Sequence, residues 1–427
     1  MPNAISRFFD QSGVFLMQRW ERRLADLAHL LRSCGSSYFE PEVFRLNTNQ
    51  FLTTARTVTF LIQKDKASIP GFEEWHGENI VRAWAGDEVM KWAKDSRNHI
   101  EKEGDLDLHS KLWATLIYSY SDSEDISLSC DRDQMLAANV KRLVRFSEKY
   151  LPSGVSDGAV LKIERRWVAN SLPTHELLHA LTYVYSRLYA AVASLVRHIK
   201  VNLDAGVPEP TEINGGISDD GRTKFVKIRG RESGTVRTVK VHRSPEYVPP
   251  QWMVELTGLD GEYLVAETLA ERVSLCAKLV EGSFNQFGSH ISMLFIFGEN
   301  GKVVDFLSPA LADQASKFIF WRSIENRIVY LRATSLVWIS EVWLRRYARS
   351  AVDPIRKLPI TGEMLHVIGI DRLGQVEDVQ WDIVRGEGDA KPVLVLRKER
   401  SSVEKEAPFF LRPALRAFQS VHAVSSK

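Results

Sequence analysis

Two short stretches of this chain carry residue types and spacings that could do chemistry. The first is Arg97-Asn98, within Trp92-Ala-Lys-Asp-Ser-Arg-Asn-His-Ile-Glu-Lys-Glu-Gly104. An arginine beside an asparagine near a helix end can grip a phosphate through a planar fork of donors, and Lys102 or His99 could then handle the proton of a ribose hydroxyl. That is the layout of a metal-independent endoribonuclease, which needs no cofactor. The second is His175-Glu-Leu-Leu-His179, which matches the zinc-peptidase pattern letter for letter. Histidines four apart share one helical face and can both bind zinc, while Glu176 would polarise a water. A third ligand is then required, and Glu209 and Glu212 sit in a proline-rich stretch. The alternative to zinc is a pair of boundary histidines opening a structural helix, with no metal at all.

A third signal is charge. Arg222, Lys224, Lys227, Arg229, Arg231, Arg237, Lys240 and Arg243 crowd into one segment with Glu232 as its only acid. On a strand Lys227 and Arg229 share one side and Val226 and Ile228 the other. Lys227, Arg229, Arg231, Arg237 and Lys240 are therefore candidates for contact with a nucleic-acid backbone. The competing reading is an edge strand protected from aggregation by its charges.

The elements that must position these residues follow from periodicity. Over Phe15–Leu31 the residues Leu16, Trp20, Leu24, Leu27 and Leu31 form one helical stripe. Pro41 suits the first turn of a second helix, in which Phe44, Thr48, Phe51, Ala55, Val58 and Ile62 recur. A third helical pattern, broken or bent at Gly86, runs from Glu78 to Lys102 and stops at Gly104. Leu112–Tyr120 and Met135–Tyr150 read as helices, Val160–Val168 as a short strand. Pro173 opens a long helix with Leu177, Leu181, Val184, Leu188, Ala191 and Leu195 at regular spacing.

Beyond Asp204–Pro210 the pattern changes to strands. Phe225–Val241 reads as a hairpin turning near Ser233-Gly234, and Met293–Phe306 as a hairpin with Asn300-Gly301 at its turn. Helices are expected over Tyr263–Val280 and Ala310–Arg322. Strands are expected at Val329–Arg332, Ser335–Leu344, Met364–Ile370, Val376–Ile383 and Val393–Leu396. The expected fold class is α+β multidomain. An N-terminal all-α helical bundle (1–150) is followed by a strand and long helix extending the helical region (151–205). A linker with the basic hairpin (206–250) then leads to a mixed α+β domain with mainly antiparallel strands (251–427).

Composition bounds the rest. A chain of 427 residues exceeds one ordinary core, and 44% apolar with 26% charged residues is ordinary for a soluble protein. The net charge of +2 leaves any attraction to nucleic acid to a local patch. Cys34, Cys130 and Cys276 form no zinc spacing and suit reduced thiols in a cytosol. No secretory leader and no membrane-length apolar run is apparent, so a cytoplasmic protein without membrane contact is expected.

Residues Phe44–Phe60, a variable loop and Asp95-Ser-Arg-Asn-His-Ile-Glu-Lys102 resemble the HEPN superfamily over roughly residues 10 to 150. Its members are helical bundles among bacterial toxin and phage-defence ribonucleases and their inactive relatives. The resemblance implies an Arg-Asn-x-x-x-His motif paired across a homodimer whose cleft holds RNA. It places Arg97 on the scissile phosphate, Asn98 on the helix end or a ribose, and Lys102 where the histidine belongs. Lysine titrates near ~10.4 against ~6.5 for histidine, so Lys102 needs strong desolvation to act as a base. The expected function is an RNA- or nucleotide-directed protein of a bacterial defence or toxin-type system, its nuclease activity retained or lost. The alternatives are a zinc metallopeptidase on His175, Glu176 and His179, and a non-enzymatic scaffold whose C-terminal domain binds a partner protein.

Overall fold

The apolar stripes read from the first two hundred residues build four long helices around one core. A computed structural model describes residues 18–119, 125–214, 222–240, 248, 250–257, 266–346, 358–386, 390–397 and 407–425. Phe15–Met17, Val241, Arg243, Pro249 and Tyr263–Val265, which figure in the sequence-based elements, lie outside the described residues.

In chain order the helices α1 (Arg19–Ser36), α2 (Pro41–Lys64) and α3 (Phe72–His76) lead into a π-helical turn (Gly77–Arg82) and α4 (Glu88–Lys102). Strands β1 (Leu108–Ile117) and β2 (Ile126–Cys130) follow, then α5 (Asp133–Tyr150), α6 (Ser153–Ser156), β3 (Val160–Ala169), α7 (Leu177–His198) and α8 (Pro210–Asn214). The second half contains β4 (Thr223–Lys227), β5 (Ser233–Gly234), β6 (Thr238–Lys240), α9 (Gln251–Thr257), α10 (Leu269–Phe287), β7 (Met293–Phe297) and β8 (Val303–Pro309). It closes with α11 (Gln314–Leu331), β9 (Ser335–Arg345), β10 (Ile360–Asp371), β11 (Val376–Val384), β12 (Val393–Leu396) and α12 (Arg412–Ser425). The fold is thus α+β and multidomain, helical first and strand-rich later.

The chain divides into two units, each assembled from separated stretches. One takes the chain up to Trp113, Ser129–Leu136 and Glu164–Thr223; the other takes Ala114–Leu128, Ala137–Ile163 and Lys224 onward. In the first unit Trp20, Leu24, Leu27 and Leu31 of α1 meet Phe44, Phe51, Val58 and Ile62 of α2, Trp92 of α4, and Leu181, Leu188 and Leu195 of α7. Each such side chain taken fully out of water contributes about 1.5–3 kcal/mol. Phe44 stacks on Trp167 with ring centroids 5.1 Å apart, and the Trp167 indole donates to the Tyr38 carbonyl at 2.8 Å.

The second unit is built on a seven-stranded sheet of order β12-β11-β10-β9-β7-β8-β6 whose recorded pairs are antiparallel. Strand pleating sends alternate residues of β9 to opposite faces. Val337 and Ile339 pack with Val273, Cys276 and Val280 of α10. Leu336 and Trp338 pack with Phe320, Trp321 and Ile324 of α11 and with Phe418 of α12. A second sheet has the order β2-β1-β3-β4-β5. The turn of the β7–β8 hairpin places Gly301 at φ +70°, where a Cβ would also meet the Ala266 carbonyl oxygen at 3.0 Å.

Three expectations are corrected. The stretch expected as a helix over Leu112–Tyr120 runs instead as strand β1 to Ile117: Leu112, Ala114 and Leu116 are buried while Trp113 and Thr115 are half-buried, which is a period of two. Tyr120 lies outside the described residues. Val329–Arg332 is the end of α11, since Ile324 and Ile328 continue its buried stripe and Arg332 closes it at φ +48°. The basic hairpin turns at Gly230-Arg231, both with positive φ, and not at Ser233-Gly234. Its returning arm then divides, β5 pairing with β4 and β6 pairing with β8.

Candidate functional site

Helix α7 positions the residues of the His-Glu-Leu-Leu-His stretch, and it begins later than Pro173. His175 lies in a bend outside the helix and Glu176 is its N-cap, so His175 and His179 do not share a helical face. Both carboxylate oxygens of Glu176 are engaged. Oε1 accepts from the Tyr38 hydroxyl at 2.7 Å and from the Leu178 amide at 3.1 Å. Oε2 accepts from the His179 amide at 2.9 Å and pairs with the Arg222 guanidinium at 3.1 Å. Four acceptor positions with four donors leave none to activate a water. The Tyr38 hydroxyl is pushed well above the usual phenol range, first by burial and then by the Glu176 charge.

The zinc-peptidase geometry on His175, Glu176 and His179 is therefore not assembled. Among the described residues no cluster of three or more His, Cys, Asp or Glu side chains could hold a metal ion. Glu176 ties the start of a core helix to the α1–α2 connection through Tyr38. Arg222, counted above with the basic hairpin, is 4% exposed and serves this network instead.

The two histidines nevertheless line a common cleft within the first unit. Its volume is about 830 Å³, and its walls are the Ala83–Val89 segment and the outer face of α7. From α7 come His179, Thr182, Tyr183, Ser186 and Arg187, and His175 stands at the mouth of the helix. His179, Tyr183 and Arg187 recur four apart on α7, so they project along one line. Asp87 holds the opposite wall to that row. Its Oδ2 accepts from the Tyr183 hydroxyl at 2.9 Å and from Arg187 Nε at 3.1 Å. Its Oδ1 caps α4 by accepting from the Met90 amide at 3.0 Å. Arg187 Nη2 donates to the Ala83 carbonyl at 2.6 Å, just past the π-helical turn. The Tyr183 phenol is raised above its ordinary value, first because it donates to the Asp87 carboxylate.

Arg97 and Asn98 lie on α4, and each keeps to its own helix. Arg97 Nη2 pairs with Glu101 at 2.7 Å, one turn on, and Nη1 donates to Asn98 Oδ1 at 3.1 Å. His99 Nδ1 lies 3.0 Å from Glu103. Lys102 stands in the last turn of the same helix. Arg97 with Glu101 and His99 with Glu103 thus pair at helical spacing on α4.

Three of the five hairpin cations are already paired with acids. Lys227 pairs with Asp313 at 2.9 Å and Glu232 at 3.5 Å, and the hydrogen bond it donates to Asp313 raises its pKa. Arg229 pairs with Asp157, and Arg231 with Glu148 at 3.8 Å. Arg237 is exposed with no ion pair among the described residues, and Lys240 is placed by its backbone on β6, in the other sheet.

Asp87, Thr182, Tyr183, Ser186 and Arg187 were not singled out from the sequence. Their signal was present in α7: a polar row His179, Tyr183, Arg187 runs beside the apolar stripe of the same helix. What pairs that row with Asp87, about a hundred residues earlier, is tertiary structure alone.

Fold and cleft define a two-unit α+β protein with a polar cleft on its helical unit. The chain belongs to the bacteriophage lambda protein ea47 family, which it matches over residues 16–420. It is 39% identical over 398 residues to protein ea47 of Escherichia phage lambda, covering 93% of this chain and 96% of that relative. No solved structure matches it. This membership overturns the resemblance to the HEPN superfamily: the match spans the whole region that suggested it and continues through the strand-rich half. The physical reason is plain. The Arg-Asn motif is short, and an i,i+4 ion pair at a helix end produces it without any site. The family is one of phage proteins, and no described helix is long and apolar enough to cross a membrane.

Proposed function

We propose that this phage-family protein binds a nucleoside or nucleotide in the cleft beside α7. The observation that carries the reading is the row His179–Tyr183–Arg187, braced by Asp87, along a cleft of about 830 Å³, a size within the usual range for small-ligand sites. Two imidazoles and a phenol ring offer flat faces against which a base can stack. Thr182 and Ser186 offer hydroxyls for a sugar. Arg187 uses Nε on Asp87 and Nη2 on Ala83, so Nη1 has no hydrogen-bond partner among the described residues and suits a phosphate oxygen. The reading is one of recognition, with no hydrolytic step. Glu176, which a peptidase would need as its base, is committed to Tyr38, Arg222 and the helix amides.

Titration calorimetry of the full chain with the four ribonucleoside monophosphates and their nucleosides tests this. Saturable one-to-one binding of at least one ligand is expected, weakened by about tenfold or more in Tyr183→Ala, a loss of about 1.4 kcal/mol. Arg187→Ala should erase the preference for the phosphorylated form over the nucleoside. No heat with any of the eight, or affinity unchanged in both variants, would overturn the reading.

A further inference from the structure

Helix α5 is the least embedded of the long helices: Leu143 and Ser147 are its only residues recorded as buried. Its second half, which belongs to the second unit, carries Lys141, Arg142, Arg145 and Lys149, all exposed. None of the four has a carboxylate partner within ion-pair distance among the described residues. The lone acid of that stretch, Glu148, faces Arg231 at 3.8 Å. Lys141, Arg145 and Lys149 recur four apart, so one helical face presents a cation about every 6 Å along the axis. The row ends on aromatic surface. Tyr150 is 62% exposed, its ring lies 5.2 Å from that of Phe146, and the Lys149 ammonium sits 5.0 Å from its centroid.

We infer that this face of α5 is a docking surface for single-stranded nucleic acid. Regularly spaced, unneutralised cations match a polyanion whose charges also recur regularly, and each phosphate they contact releases counterions. The exposed Tyr150 ring at the end of the row supplies the stacking platform that separates single-stranded nucleic acid from an acidic peptide. A membrane surface would need an apolar face beside the cations, whereas the exposed positions between them are Arg142 and Glu148. The inference uses residues distinct from those of the α7 cleft, so either can fail alone.

The experiment is fluorescence anisotropy of a labelled 20-nucleotide oligothymidylate, and of oligouridylate of equal length, against the full chain over a salt series. Lys141→Glu, Arg145→Glu and Lys149→Glu are combined in one variant. Wild-type binding should weaken steeply with salt. The triple variant should bind at least about tenfold more weakly, with a log–log salt slope reduced by about 2, as expected for three lost phosphate contacts on a single strand. Tyr150→Ala should weaken binding about fivefold or more while leaving the salt slope unchanged. Arg229→Ala should bind like wild type, because that cation already has a carboxylate in Asp157. All substitutions are at exposed positions, and a matching circular dichroism melt checks the fold. Nucleic acid bound equally well by the triple variant would overturn the inference. So would no binding by wild type, or binding only of anionic phospholipid vesicles or of a polyglutamate peptide. Competition by excess nucleoside monophosphate would instead point to the α7 cleft.

Discussion

Arg97 with Glu101 and Arg222 with Glu176 are the same chemical pair in two settings, and the setting decides everything about them. Arg97 and Glu101 stand one turn apart on the surface of α4, their side chains 31% and 38% exposed. Arg222 and Glu176 come from separate parts of the chain, 4% and 13% exposed, and their contact is shared with Tyr38 and two backbone amides. Water screens the first pair and competes for its hydrogen bonds. The second has lost its water, so each charge depends on its partner. A sequence motif records which residues are present, but burial determines whether a glutamate is a base, a cap or a surface charge.

The sharpest test of this contrast is Glu176→Ala. It strips a buried guanidinium of its carboxylate and uncaps α7, and a loss of about 3–5 kcal/mol in denaturant unfolding is expected. A stable Glu176→Ala protein that had lost only a metal-dependent activity would reverse the assignment and restore the peptidase reading. Next in size is Asp87→Ala, which removes the α4 cap and the brace of the cleft. A cost of about 0.5–2 kcal/mol is expected. The same substitution should bring the Tyr183 phenol back down from its raised value, seen as an earlier tyrosinate absorbance change on alkaline titration. The sign follows from the cause: the carboxylate acceptor favours the protonated phenol, so its stabilisation is present at lower pH and fades as pH rises through the folded pKa. Smallest is Arg97→Ala, expected to shift stability by no more than about 0.5 kcal/mol. A loss several times larger would show that the pair on α4 is not a surface pair.

Much of the scaffold was legible in local pattern. Trp20, Leu24, Leu27 and Leu31 are all buried as the stripe required, and Asn300-Gly301 turns the β7–β8 hairpin. The failures share a cause. Leu112–Ile117 carries apolar residues dense enough to pass for a helix, and only its pairing in a sheet selects the two-residue period. Val329–Leu331 has strand-forming residues, yet Ile328 and Phe320 hold the segment in α11 against the sheet. At the sites the gap is wider. The basic hairpin read as one patch because its acids, Asp157, Glu148 and Asp313, are remote in sequence. The cations of α5 are not legible as a patch in the sequence, because nothing local reveals that Lys141, Arg145 and Lys149 meet no acid among the described residues.

By itself the sequence determined where apolar faces lie, where helices start and turns fall, and that the chain would be helical first and strand-rich later. Those properties arise from periodicity and backbone preference, which act over a few residues. Tertiary structure alone decided that Glu176 belongs to Tyr38 and Arg222, that Asp87 faces Tyr183 and Arg187, and which cations are neutralised. Electrostatic function depends on desolvation and on partners brought from far along the chain, and neither exists until the fold closes around them.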